Sequence, residues 1–176
     1  MSQLEPLTLL NYPNPMLSQV AEPLHFPLSA EQLHWIERLR FTMIQANGVG
    51  IAAPQVGRAW QLMIVASSPN ARYPDAPELA PFVLCNPQIK QYSEQQQWGW
   101  EGCLSVAGQR AKIARSQAVW LEYQDLQGEW QQAHYQGFVA RIIQHEYDHL
   151  QGLCIVDRVS EDTLLISEQQ YLQDFS

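Results

Sequence analysis

The segment Gln144-His145-Glu146-Tyr147-Asp148-His149 carries the residue types of a metal-dependent hydrolase. His145 and His149 are four residues apart, so on a helix their side chains lie about 40° from one another and both imidazoles can reach one ion. Phe138 and Ile142 fall on the same stripe, so the histidines point where this helix points its apolar side chains. Imidazoles in a buried stripe need polar partners, and a shared metal would supply them. Glu146, next to the first histidine, is placed to act as general base on a water at such a metal. The plainer reading is a helix with two core histidines and a surface glutamate, and HExxH alone does not choose between the two.

A third ligand narrows the chemistry. The metzincin continuation HxxGxxH begins with His149-Leu150-Gln151-Gly152 but has Ile155 where the last histidine belongs. Glutamate-type zincins take a carboxylate from a later helix; Glu161 and Glu168 lie downstream, in a stretch short for such a helix. Upstream, Glu101-Gly102-Cys103-Leu104-Ser105 offers a thiolate, a soft ligand suited to first-row metals. Cys103 has a glycine before it and a hydroxyl residue close behind. Cys85 (FVLCNP) and Cys154 (GLCIV) sit in apolar stretches and read as small buried hydrophobes.

The elements that would position these residues follow from patterning. Residues 1–28, rich in proline, read as an extended, turn-rich segment that wraps a core. Ser29 and Gln32 form a capping box, Leu33, Ile36, Leu39 and Met43 recur at helical spacing, and Asn47-Gly48 supplies the stop. The tract GVGIAAPQVG is too rich in small residues for an ordinary strand. Strands are predicted at 60–67 and 82–89, flanking a proline-rich loop at 68–81 that contains Arg72-Tyr73-Pro74-Asp75. A hairpin is predicted over 112–136, turning at Asp125 to Gly128. A second helix runs from Phe138 to about Gln151. The tail from Val159 is polar and acidic, with Leu164, Leu165, Ile166, Tyr171 and Leu172 as candidate docking residues. The fold class is α+β: mostly antiparallel sheets around a central metal-binding helix carrying HExxH, in one domain over 1–176, with 159–176 as an acidic tail.

Composition bounds the function. At 176 residues and 46% apolar the chain can bury a substantial core, and with 16% charged residues it lacks the balance of a disordered chain. Ten Lys and Arg against 18 Asp and Glu give a net charge of −8, which argues against a general nucleic-acid binder. Three cysteines make no disulfide framework and fit a reducing compartment. The N-terminus has no signal-peptide pattern and no run approaches a membrane span, so a cytoplasmic protein without membrane contact is expected.

Three motifs, taken in order, resemble those of the peptide deformylases. Gly48-Val49-Gly50-Ile51-Ala52-Ala53-Pro54-Gln55 is similar to GxGxAAxQ, Glu101 to Ser105 to EGCLS, and Gln144 to His149 to QHExDH, and the likeness runs from about Leu7 to Arg158. The resemblance implies that Cys103, His145 and His149 hold one divalent metal with an open fourth position. Fe(II) is the expected physiological ion, with Zn, Ni or Co accepted by the same donors. It implies that the substrate is an N-formyl-Met peptide, that Glu146 moves the proton, and that the Gln55 side-chain amide and Leu104 backbone N–H bind the oxyanion. Gly48 and Gly50 would leave room for the substrate backbone. Phe138 and Ile142 would wall the methionine pocket, and Arg110 would lie near the cleft. Asp148 and Arg115 would pair as a brace on the metal helix. A monomer is expected. Ala107 stands where relatives carry proline, and Cys154 where they carry a bulkier residue. No Lys or Arg follows Arg158, whereas well-known bacterial members have a basic C-terminal helix that contacts the ribosome. Weak or absent ribosome binding by this tail is therefore expected, with ribosome contact left to other parts of the surface. A metallopeptidase cleaving internal bonds and a non-catalytic metal- or peptide-binding relative are the competing readings. The absent downstream ligand counts against the first. The intact Glu146, Gln55 and ligand set count against the second.

Overall fold

The computed structural model describes residues 4–69, 73–160 and 164–175. Arg72 of the loop and Glu161 and Asp162 of the tail lie outside the described residues. The helices are α1 (Ala30–Gln45), α2 (Gly137–Leu150) and the short α3 (Glu168–Asp174). The strands are β1 (Gly50–Ala52), β2 (Leu62–Ser67), β3 (Leu79–Tyr92), β4 (Gln96–Cys103), β5 (Val106–Ser116), β6 (Ala118–Gln124), β7 (Trp130–Gln136) and β8 (Leu165–Ser167). They form a five-stranded sheet in the order β1-β2-β3-β6-β7 and a three-stranded sheet in the order β4-β5-β8. The pairings within both sheets are antiparallel, as expected for an α+β chain.

β2 explains the layering. Its residues are apolar on both faces because both faces are covered. Met63 and Val65 pack with Val139, Ala140, Ile142 and Ile143 of α2, whereas Leu62 and Ile64 pack with Ile36, Leu39 and Met43 of α1. The five-stranded sheet thus lies between the two helices. α2 in turn presents a polar stripe to the three-stranded sheet: Arg141, Gln144, His145 and Asp148 all bond to β4 or β5. The helix that carries the candidate chemistry is therefore buried on two sides, by apolar contacts on one and by ion pairs on the other.

Local chemistry sets the boundaries. Ser29 and Gln32 do form a capping box at α1. The helix ends with Asn47 at φ 52°, its N–H donating to Ile44 O (3.0 Å) and that of Gly48 to Met43 O (2.9 Å). This is a Schellman ending with Asn47, rather than Gly48, in the left-handed position.

Several expectations need correction. The hairpin begins at Ala118 rather than at 112, because 112–116 belongs to β5 of the other sheet. The chain changes sheets at Ser116, whose N–H and C=O are both taken by the Gln144 side chain, at 3.1 and 2.8 Å. The third strand extends over Leu79–Tyr92, and its ladder shifts register around Asn86 and Pro87, where a residue without an N–H is tolerated. The small-residue tract begins as the edge strand β1 and continues as a 3-10 turn at Ala53–Val56. The β4–β5 hairpin was not foreseen. The tail is ordered as β8 and α3, with Ile166 half-buried and Tyr171 and Phe175 packed on Trp100, whereas Leu164, Leu165 and Leu172 are exposed.

Asn86 pins the proline-rich N-terminal segment to this frame. Its side chain accepts from Leu24 N–H (2.7 Å) and donates to Leu24 O (2.8 Å) and Gln124 Oε1 (2.7 Å), and its φ is 48°. Asn86→Ala should therefore lower unfolding stability in urea by about 2–4 kcal/mol, since it leaves buried polar groups unpaired and places alanine in a left-handed conformation. An unchanged midpoint would contradict this.

Candidate metal centre

Cys103 ends β4, and a two-residue turn, Leu104-Ser105, returns the chain into β5. The thiol therefore sits at the tip of a hairpin that lies beside α2. One turn of α2 separates His145 from His149, whose ring centroids are 5.2 Å apart. The ligating atoms of Cys103, His145 and His149 all lie within 4.8 Å of one another, and Cys103 Sγ is 3.3 Å from His149 Nε2. His145 turns its Nδ1 to Glu101 at 2.9 Å, so its Nε2 is left for the thiol side. A thiolate and two imidazoles brought this close suit a divalent first-row metal, and among the described residues no further His, Cys, Asp or Glu joins the group. Glu168, the other carboxylate weighed as a ligand and present among the described residues, is engaged elsewhere with Arg110.

Glu101 organises the surroundings. Its oxygens accept from Arg115 Nε (2.9 Å) and Nη2 (2.8 Å), from Arg141 Nη1 (2.8 Å) and from the His145 ring. Although Glu101 is buried, the hydrogen bonds from Arg115 and His145 hold its carboxyl well below the ordinary carboxylate range. Arg115 also bonds Asp148 Oδ2 at 2.6 Å; Arg158 Nε donates to the same oxygen at 3.0 Å and its Nη2 to Oδ1. The Arg115–Asp148 contact expected from the motifs is thus present, inside a larger network. Gly99 makes room for it: a Cβ there would come within 2.7 Å of Arg141 Cζ.

The histidines differ in their environments. Burial disfavours a charge on His145, but its bonds to Cys103 and Glu101 outweigh this and raise its pKa well above the usual value. Burial, followed by the nearby His145, depresses His149 well below it. Burial likewise pushes the thiols of Cys85 and Cys154 up to about 12, so both remain neutral at ordinary pH. Cys154 is nonetheless not a remote core residue, as its Sγ lies 3.8 Å from His149 Nδ1.

A cavity opens beside the three ligating residues. Gly48, Gly50, Gln55, Tyr73, Cys103, Leu104, Phe138, Ile142, His145 and Glu146 are among the residues lining it. Glu146 Oε2 is buried with no hydrogen-bond partner among the described residues, and burial raises this carboxyl to about 7. Gly50 explains how it fits: a Cβ at residue 50 would be 2.3 Å from Glu146 Oε1, so the glycine accommodates the carboxylate. Gln55 accepts from Ala52 N–H through Oε1 (2.9 Å), which turns its Nε2 toward Ser105 Oγ (3.2 Å) and Cys103 Sγ (3.7 Å). Phe138 and Ile142 form an apolar wall.

Arg110 does not stand in the cleft. It is fully buried, bonded to Glu168 and to the Tyr73 hydroxyl, and absent from the cavity lining. Two residues with structural parts to play were missed in the sequence. Glu101 was visible as part of a motif but had no assigned partner. Tyr73 lies in the 68–81 loop, which resembles that of a subset of the family and is expected to shape one edge of the active-site region, but the loop has no periodicity to single out the residue itself.

Comparisons with known proteins agree with this geometry. The sequence profile of the polypeptide deformylase family matches residues 6–164. Peptide deformylase 2 of Nostoc sp. is 46% identical over 170 residues, covering 95% of this chain and 93% of the relative. Peptide deformylase 2 of Shewanella oneidensis is 52% identical over 129 residues, covering 72% and 71%. The crystal structure of a class I type b peptide deformylase from Acinetobacter baumannii, bound to Met-Ala-Ser, superposes with a TM-score of 0.87 at 41% identity, covering 89% of this chain and 100% of that one. An actinonin-bound structure of the same enzyme gives 0.80 at 37%, covering 89% and 99%. Among the described residues, no helix is long and apolar enough to cross a membrane. The motifs, the fold and these relatives together place the chain in the polypeptide deformylase family.

Proposed function

We propose that this protein is a metal-dependent hydrolase that removes the N-terminal formyl group from formyl-methionyl nascent polypeptides, releasing formate. The single observation that carries the reading is the convergence of three soft and borderline donors on a cavity that also holds a buried, unpartnered carboxylate. Cys103, His145 and His149 are the proposed ligands, with α2 as the helix that presents HExxH and the chain working as one domain. A divalent ion held there, Fe(II) physiologically, supplies Lewis acidity toward the formyl oxygen and lowers the pKa of water.

The chain's own groups do the rest. The formyl-methionyl end enters the cavity with its side chain against Phe138 and Ile142. Glu146 takes a proton from the attacking water. A carboxyl raised toward neutrality is suited to hold that proton and then deliver it to the departing amine nitrogen. The C–N bond of the formamide breaks as the amine leaves, and formate is the second product. The Gln55 amide and the Leu104 backbone N–H donate to the oxygen on which negative charge develops. Glu101 positions His145 through Nδ1, Arg115 helps to keep Glu101 ionised, and Arg115 and Arg141 hold it in place. The acidic segment carrying Glu168 and Asp174 makes no cationic surface, which supports the reading that it does not bind ribosomal RNA. A cytoplasmic monomer fits the same picture.

The test is formate release from a formyl-Met peptide after anaerobic loading with Fe(II) or Ni(II). Release by the native chain is expected, with Glu146→Ala lowering kcat by about 10²–10⁴ while metal stays bound, and Gln55→Ala by about 10²–10³. Absence of release would overturn the reading, and cleavage of internal peptide bonds without formate would favour a metallopeptidase. Glu101→Gln should weaken metal binding about 10–100-fold in competition with a chelator, since His145 loses its anionic partner. Unaltered affinity would show that Glu101 does not position that ligand.

A further inference from the structure

The Arg110 guanidinium joins three parts of the chain that are far apart in sequence. Arg110 lies on β5 and is 0% exposed. Its Nε and Nη2 bind the two oxygens of Glu168 at 2.8 and 3.1 Å, and its Nη1 donates to the Tyr73 hydroxyl at 3.2 Å. Its Cζ also lies 4.6 Å from the ring centroid of Tyr171 and 5.3 Å from that of Tyr73. Glu168 and Tyr171 belong to α3, and Tyr73 to the proline-rich loop before β3. Tyr73 in turn lines the catalytic cavity and packs against Phe138, with ring centroids 4.8 Å apart.

We infer that Glu168 is a positioning residue for substrate binding: through Arg110 it fixes Tyr73 at the wall of the formyl-methionyl pocket. A buried guanidinium needs a carboxylate, and the planar fork of Arg matches one in two-point geometry. Glu168 meets that need from the tail, with its own side chain 26% exposed. The third bond of the fork then goes to Tyr73, the residue that reaches the cavity. The tail is itself held by β8 on β5 through Gln109, Arg110 and Ala111, and by Tyr171 and Phe175 on Trp100. The acidic segment thus has an internal role as the counter-charge that orders one wall of the pocket. Tyr73 is the specificity-determining residue, and Glu168 acts on it at one remove.

This inference rests on the deformylase reading, and the experiment separates the two. Steady-state kinetics on a formyl-Met tripeptide are measured for the native chain, Glu168→Gln, Tyr73→Phe and the double variant. Alongside them, hydrogen exchange is followed on metal-free protein at the Ala76 amide, which donates to Tyr73 O. Glu168→Gln should raise KM about three- to tenfold with kcat within twofold, and should speed exchange at Ala76 while that of α2 stays the same. In the Tyr73→Phe background the Glu168→Gln change should move KM by less than twofold, because the coupling has already been cut. Native KM and native exchange at Ala76 in Glu168→Gln would overturn the inference, as would equal KM effects of Glu168→Gln in both backgrounds. If Glu168→Gln fails to fold, Tyr73→Phe alone decides: a KM and Ala76 exchange rate equal to the native chain's would overturn it. Failure of the native chain to release formate would instead count against the function itself.

Discussion

The Glu101 carboxylate is the constraint on which the site depends. It is 3% exposed and receives Arg115, Arg141 and the His145 ring. Each of these groups would be costly to bury alone, and together they tie three elements: Glu101 belongs to β4, Arg115 to β5, and Arg141 and His145 to α2. Removing one partner of such a buried set typically costs about 3–5 kcal/mol, because the others are left uncompensated. The network therefore fixes the β4–β5 hairpin against α2, and with it the distance from Cys103 to the two histidines. The apolar contacts between α2 and β2 supply much of the hydrophobic drive, but they are non-directional. The ion pairs supply the register.

The same geometry accounts for the division of labour along α2. Its apolar residues meet the five-stranded sheet, its stripe of Arg141, Gln144, His145 and Asp148 meets the three-stranded one, and Glu146 points into the cavity between. Gly50 and Gly99 are where the backbone must yield, one to the Glu146 carboxylate and the other to the Arg141 guanidinium. Substitution at either would force one of these side chains to shift from its place in the site. Small residues near this site therefore serve the protein's own side chains at least as much as they serve a substrate.

Much of this was legible in the sequence, for definable reasons. Helical periodicity and the capping box at Ser29 placed α1, and the four-residue spacing of His145 and His149 together with the apolar stripe placed α2. The three motifs pointed to the family that the comparisons bear out. The β4–β5 hairpin escaped notice because its side chains answer to two different neighbours. Trp98 faces solvent, while Trp100 lies under the tail and Glu101 and Arg115 lie under α2, so no simple alternation survives. The sheet change at Ser116 is imposed by the Gln144 side chain, some thirty residues away, and local pattern carries no trace of it. Arg110 is expected near the cleft, but that it reaches the cavity wall only through Tyr73, with Glu168 as counter-charge, depends on contacts that only the folded chain makes. Gly50 lines the cavity and also makes room for Glu146, a demand that local pattern does not reveal.

We propose that β4 and α2, held in register by Glu101, present one thiolate and two imidazoles to a single ion beside Glu146. Anomalous diffraction at the absorption edge of the loaded metal, on crystals of the full chain, tests it most directly. The predicted result is one ion bound by Cys103 Sγ and the Nε2 atoms of His145 and His149, with no fourth protein ligand and with Glu101 still on His145 Nδ1. An ion held elsewhere in the molecule, or closed off by a fourth side chain, would contradict it.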